Sequence, residues 1–298
     1  MFWQTLERLS HEPAVVMTEW AIAMVALLVM LLIGGYVFGS FLLMGIGGHV
    51  SARQVGASLR ELLRELWIAA LTQPLIPLFY LVGHRMDAIW LGQADKGLAT
   101  KPGVPVVFVH GYMQNRVGFI GLARALARAG RGPVFGFNYP WFASIASNAR
   151  RLDRFVRRVC AETASPKVDV VCHSMGGIIA MEMMRDEALR DSVKVRRCVT
   201  IASPHAGVVW PGPLLGVDAG SLRRGSKLLS DHAGHQLTVP CLLVYSTHDN
   251  VVHPKESSSL AQRGGRDVEV EGPAHLAILF SPEVAERVAS FLAEPDPV

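Results

Sequence analysis

The chemistry in this chain starts at one serine. Asp169-Val-Val-Cys-His-Ser-Met-Gly-Gly177 joins a β-branched run to a helix-forming stretch, Ile178-Ile-Ala-Met-Glu-Met-Met184. A serine on so sharp a strand-to-helix turn presents its hydroxyl outward, and strand and helix must then pass very close. That closeness demands small residues two before and two after the serine, commonly both glycine. Here they are Cys172 and Gly176, so the first position departs from glycine yet stays small. Ser174 would stand at a helix N-terminus, where the dipole favours developing negative charge.

A serine hydroxyl is a poor nucleophile without a base, and the base needs an orienting acid. On a strand-turn-helix scaffold of this kind they follow in the order serine, acid, histidine, each just after a strand. Leu242-Leu-Val-Tyr-Ser-Thr-His-Asp249 supplies the acid, and Val268-Glu-Val-Glu-Gly-Pro-Ala-His275 the base. The other histidines fit less well. His173 adjoins the nucleophile and is expected to point away from it. His110 belongs to a His-Gly turn, and His205 follows a different strand. His248 and His253 flank the acid. Asp218 and Asp267 do not follow strand ends. An oxyanion formed during acyl transfer needs two backbone N–H donors. Met175, the residue after the nucleophile, is one. Tyr112, in the turn Val109-His-Gly-Tyr-Met113, is the other, with Gly111 permitting the bend.

These residues need a sheet to hold them. Short apolar runs at Val106–Val109, Val134–Asn138, Val168–Cys172, Cys198–Ala202, Leu242–Tyr245 and Val268–Val270 suit strands buried on both faces. Helical stretches alternate with them at Val117–Ala129, Ala143–Cys160, Met175–Leu189 and Pro254–Gln262, and Glu283–Leu292 closes the chain. The pattern predicts an α/β fold with a mostly parallel central sheet of about six strands. All the site residues then fall in loops at the carboxyl edge. The long segment from Ser203 to Val239 carries Val208, Val209, Trp210, Leu214 and Leu215 and is expected to wall the site.

Val-His-Gly111, Cys-His-Ser-Met-Gly-Gly177, Ser-Thr-His-Asp-Asn-Val-Val252 and Gly-Pro-Ala-His275 together resemble the α/β-hydrolase superfamily. Within it, the spacing is most similar to small bacterial lipases and esterases with little or no lid, over roughly residues 104 to 295. The resemblance implies Ser174, Asp249 and His275 as a catalytic triad, with Tyr112 and Met175 as oxyanion donors. It implies hydrolysis of a lipid-like or small ester through an acyl-enzyme, with no metal or organic cofactor. Thioester or amide cleavage by the same groups, or a hydrolase fold kept as an interaction module, are the alternatives.

The chain around this domain is unusual for a soluble protein. Of 298 residues, 50% are hydrophobic and only 18% charged, and the formal net charge of +4 does not point to nucleic acid. From Trp20 to Ile46 no charged residue occurs, which exceeds the roughly 20 residues that cross a bilayer. The run is longer than a signal-peptide core and no Ala-x-Ala cleavage site follows, so residues 20–46 are expected to form one transmembrane helix after a tail at 1–19. Gly35 and Gly39 have the spacing at which a second copy of such a helix packs closely, giving a candidate homo-oligomer seam. Residues 51–91 form a membrane-proximal segment. Leu59, Leu62, Leu63 and Leu66 share helical spacing, with Arg53, Arg60, Arg64, Glu61 and Glu65 on other faces. This predicts an amphipathic helix at the membrane surface or against the globular domain. The apolar run Leu66–Val82 is broken by Pro74 and Pro77, which argues for docking rather than a second crossing. A polar, Gly-rich linker over Gly92–Gly103 separates this part from a hydrolase domain at 104–298. One basic residue, Arg8, precedes the span and Arg53, Arg60 and Arg64 follow it, which predicts a cytoplasmic domain. Nine arginines against the single acid Asp153 in residues 104–160 suit solvated helix faces or anionic headgroups. The four cysteines, Cys160, Cys172, Cys198 and Cys241, lack metal-type spacing and read as buried small hydrophobes in a reducing compartment.

Overall fold

A computed structural model describes residues 13–47, 55–75, 80, 84–86, 103–186, 194–210 and 215–296. Arg8, Arg53, the linker up to residue 102 and residues 211–214 of the long segment lie outside these. Six parallel strands form one sheet in the order β2-β1-β3-β4-β5-β6. They are β1 (Val106–Val109), β2 (Val134–Phe137), β3 (Val168–His173), β4 (Val195–Ile201), β5 (Cys241–Ser246) and β6 (Arg266–Val270). Five match their apolar runs to within two residues at each end, and β4 starts three residues earlier than its run. Arg196 and Arg197 account for that extension. They sit in the strand because Arg196 pairs with Asp169 on β3 at 2.6 Å, while buried Arg197 donates to the Glu294 and Pro295 carbonyls.

The sheet is covered on both faces, and the alternation of its strands decides which residue goes where. Val107, Val109, Val170, Cys172 and Leu243 face α4 (Ile145–Thr163) and α5 (Met175–Arg185). Val106, Phe108, Val171, Leu242 and Val244 face α3 (Ile120–Arg128) and α7 (Pro282–Ala293). All four cysteines are buried and free, as their apolar neighbours imply. The helix expected over Pro254–Gln262 is instead two short 3-10 turns, Lys255–Ser258 and Ala261–Arg263. Three consecutive serines, Ser257 to Ser259, weaken an α-helix there, and Ser259 turns to bond Asp267. The stretch from Val117 likewise opens as a 3-10 turn, Arg116–Phe119, capped by the Asn115 side chain. The segment between β4 and β5 holds a 3-10 turn at Ala219–Leu222 and helix α6 (Lys227–Ala233), which joins α5 through a 2.7 Å contact of His232 with Glu182.

Before the sheet come two helices, α1 (Pro13–Ile46) and α2 (Val55–Thr72), packed on each other. One helix of the described residues, over Val16–Ile46, is long and apolar enough to cross a membrane, with a mean hydropathy of 2.6. At 34 residues α1 measures about 51 Å, well beyond a hydrocarbon core of about 30 Å. Its two halves differ. Large side chains from Met17 to Leu32 are exposed, whereas Val37, Ser40 and Met44 are buried. These three share one face, and that face lies on the α/β domain, where Ser40 accepts from Asn250. A Cβ on Gly39 would meet Trp210 of the same chain at 4.0 Å, while one on Gly35 would meet nothing.

Candidate active site

Ser174 stands between β3 and α5 at φ 52° and ψ −127°, a conformation that a non-glycine residue adopts only when its surroundings enforce it. The enforcement is visible at Gly176. A Cβ there would overlap the Val109 and His110 carbonyl oxygens at the end of β1. Glycine is therefore required two residues after the serine, as the elbow geometry predicts. Cys172, two residues before it, is fully buried and fits without a glycine.

Because all six strands are parallel, the loops after β3, β5 and β6 emerge on one edge. There the Ser174 hydroxyl lies 3.0 Å from His275 Nε2, placed to donate to it. His275 Nδ1 lies 3.0 Å from both carboxylate oxygens of Asp249, which fixes its proton on Nδ1. Asp249 Oδ1 also accepts the Val251 and Val252 N–H groups at 2.9 and 2.8 Å. Burial opposes charge on Asp249, but His275 and those N–H donors outweigh it and hold the carboxyl below its ordinary value. Burial likewise opposes an imidazolium at His275; Asp249 and then Glu65 overcome it and raise its pKa. The pair is thus an ionised acid beside a strengthened base.

The turn after β1 closes on the serine. A Cβ on Gly111 would come within 2.9 Å of Ser174 Cβ, so Tyr112, the next residue, begins beside the nucleophile. Its N–H makes no backbone hydrogen bond among the described residues. Met175 opens α5, so its N–H has no partner in the helix ladder. The Tyr112 phenol reaches across to Leu215, donating to its carbonyl at 2.7 Å and accepting its N–H at 2.6 Å. That bond ties the long segment to the turn.

The remaining candidates are supports. His110 stacks on Tyr139 with ring centroids 4.1 Å apart, and burial depresses its pKa to about 3. His205 is buried against Thr200 at 3.2 Å, and among the described residues the Ser174 hydroxyl bonds His275 instead. His248 bonds Thr247 at 2.8 Å. Asp267 caps the turn at Ser259 and Leu260, and Asp218 precedes the 219–222 turn.

Four further residues join the site without a motif to mark their roles. His173 does turn from Ser174, but it is no bystander. Its Nε2 donates to the His275 carbonyl at 2.9 Å, and its Nδ1 lies 2.9 Å from the Gln114 amide. Burial, then the neighbouring His275, lowers the His173 pKa to about 3. Gln114 also accepts the Gly111 N–H at 3.0 Å, so the turn after β1 and the base loop are linked through one buried ring. Asn250 accepts the His275 N–H at 3.0 Å and donates to Ser40 Oγ of α1 at 2.6 Å. Glu65 of α2 accepts the Leu276 and Ala277 N–H groups at 2.7 and 2.9 Å. Burial pushes its carboxyl up to about 7, against the pull of those two N–H groups and His275. For Asn250 the adjacency to Asp249 was the available signal. For Glu65, two glutamates four residues apart on a leucine-rich helix were.

Residues 86–210 match a family described as a domain of unknown function (DUF7379). Solved structures similar to this chain include the mature lipase BlEst2 of Bacillus licheniformis, at 15% identity over 65% of this chain and 94% of that one, with a TM-score of 0.56. Lipase B of Aspergillus fumigatus is 18% identical over 67% of this chain and 55% of its own length, also at 0.56. The product of gene lin2722 from Listeria innocua is 14% identical over 65% of this chain and 96% of that one, at 0.51. The architecture here is the α/β-hydrolase fold, preceded by a long apolar helix.

Proposed function

We propose that this chain is a membrane-anchored serine hydrolase that cleaves carboxylic esters of lipid-like character. The observation that carries the reading is the unbroken contact from Asp249 through His275 to Ser174, at 3.0 Å on each side of the ring. In this mechanism His275 takes the Ser174 proton as Oγ attacks the acyl carbon. The Met175 and Tyr112 N–H groups hold the tetrahedral oxyanion. His275 then returns the proton to the leaving alcohol, and an acyl-Ser174 ester remains. Water attacks that ester with the same histidine as base, releasing the acid and restoring the serine. Asp249 steadies the imidazolium at both stages.

The lipid-like character rests on surroundings. Met113, Phe142, Leu215 and Val217 are exposed apolar residues, Met113 and Leu215 beside Tyr112 and Val217 bonded to the Phe142 carbonyl, and the candidate span lies against the same domain. The charge bias, with Arg8 before the span and Arg53, Arg60 and Arg64 after it, supports a cytoplasmic orientation of that domain. Detergent-purified protein assayed on p-nitrophenyl esters of graded length, with glycerides and phospholipids alongside, should prefer longer acyl chains. Turnover that survives Ser174→Ala would reject the mechanism. An active C-terminal alkaline phosphatase fusion would reject the orientation.

A further inference from the structure

Helix α2 is built inside out for a protein in water. Leu59, Leu63, Trp67 and Leu71, each four residues from the last, are 51–67% exposed. Glu61, Glu65 and Ala69, also four apart, are 2–4% exposed and face the protein. Burying carboxylates while showing leucines to water is the reverse of what solvent selects. The sense of the inversion follows from where α2 runs. Pro74, in the 3-10 turn Gln73–Leu75 that follows it, shares a groove of about 510 Å³ with Thr18, Ile22, Val25 and Met30 of α1. α2 therefore turns back beside the most apolar and most exposed part of the candidate span. Arg60, largely exposed, lies in the first third of α2 and Arg64 at its middle, both ion-paired with Glu61. A stripe of leucine and tryptophan that runs toward the span, with an exposed arginine near its opposite end, has the layout of a helix seated in a bilayer's interfacial region.

On its inner face the same helix reaches the site. The two backbone N–H groups that Glu65 holds belong to the residues immediately after His275. We propose that α2 joins the bilayer to the catalytic base: its Leu59–Leu71 stripe sits among phospholipid acyl chains while Glu65, on the opposite face, positions the loop that carries His275. Glu65 touches no reacting atom in this scheme; it is a positioning residue, and this half rests on the function proposed above. Asp249 from the β5 loop, His173 from β3 and Glu65 from α2 are the titratable groups that face His275. Of these, Glu65 alone comes from outside the hydrolase domain.

The four native cysteines are buried, so L63C, W67C and a control R287C on α7 can each be labelled selectively with an environment-sensitive fluorophore. In phosphatidylcholine–phosphatidylglycerol vesicles, labels at 63 and 67 should be quenched by doxyl lipids, and the label at 287 by aqueous iodide. Iodide quenching at 63 and 67 without lipid quenching overturns the seating. In the same vesicles the rate of Ser174 labelling by a fluorophosphonate should fall about 10- to 100-fold in Glu65→Ala. In Glu65→Gln, whose neutral side chain suits a buried site, it should also fall, and the acid limb of its pH profile should move to lower pH. Wild-type rate and pH profile in Glu65→Gln overturn the positioning. An unlabelled wild type would reject the proposed function and the positioning together, and the quenching result would still decide the seating.

Discussion

Ser174 and His275 touch, yet the turns that carry them are held in different ways. The serine's turn is shaped by its neighbours in sequence. β3 precedes it, α5 follows it, and Gly176 lets the end of β1 press against the start of the helix. The histidine's loop is held from far along the chain. Glu65 bonds residues 211 and 212 positions away, and Ser40 reaches Asn250 across 210. A sharp turn is enforced sterically by a few small residues. A loop that must hold an imidazole at a set distance has no such local code and borrows its rigidity from whatever packs on it. In this chain that is the pair of helices before the sheet, the first of them long and apolar enough to cross a membrane.

The comparison breaks first, and hardest, at the contact itself. Ser174→Ala, His275→Ala and Asp249→Asn should each lower kcat by roughly 10³- to 10⁶-fold with the fold intact. Their losses should not add, because the three act as one unit. Ser174→Ala/His275→Ala should be little worse than Ser174→Ala, whereas His205→Ala should change turnover far less. Near-normal turnover in His275→Ala would reassign the base.

The local side breaks through sterics. Gly176→Val drives a branched side chain into the Val109 and His110 carbonyls, which are backbone and cannot yield. It should destabilise by about 3 kcal/mol, the upper range for overpacking, and lower the thermal midpoint of the purified protein. The distant side breaks more gently. Asn250→Ala removes the acceptor of the His275 N–H and the donor to Ser40. It should lower stability by about 1–3 kcal/mol and reduce kcat more than it raises KM.

What the sequence made legible divides along the same line. Strands announce themselves as apolar runs, and Ser174, Asp249 and His275 each follow one, so the sheet and the three candidates could be placed by residue number. Helix 254–262 could not, since spacing alone does not reveal that Ser259 bonds Asp267 instead of extending a helix. Glu65 was hidden more deeply. Glutamates on an amphipathic helix read as its wet face, and spacing alone does not reveal that Glu65 turns inward to the Leu276 and Ala277 N–H groups. Ser40 was masked by its setting in an apolar run, where a serine bonding its own helix is unremarkable. His173 was read as pointing away, which holds for its relation to Ser174 but misses its bond to the His275 carbonyl.

The smallest expected effect is a shift in pH dependence. His275 must be neutral to accept the serine proton, and Asp249 and Glu65 hold its pKa above the ordinary histidine value. Activity should therefore fall as pH drops through a midpoint above about 6.5, at a higher pH than an unassisted imidazole would give. A kcat/KM profile locates that midpoint, and one below 6.5 would mean that the two carboxylates do not strengthen this base.

The central claim is that one serine on this sheet edge is an activated nucleophile. Intact-mass and peptide mass spectrometry of the full chain after fluorophosphonate treatment tests it most directly. A single adduct on Ser174 is expected, absent in Ser174→Ala and strongly slowed in His275→Ala. No adduct on the wild type, or an adduct on another serine that persists in Ser174→Ala, would contradict it.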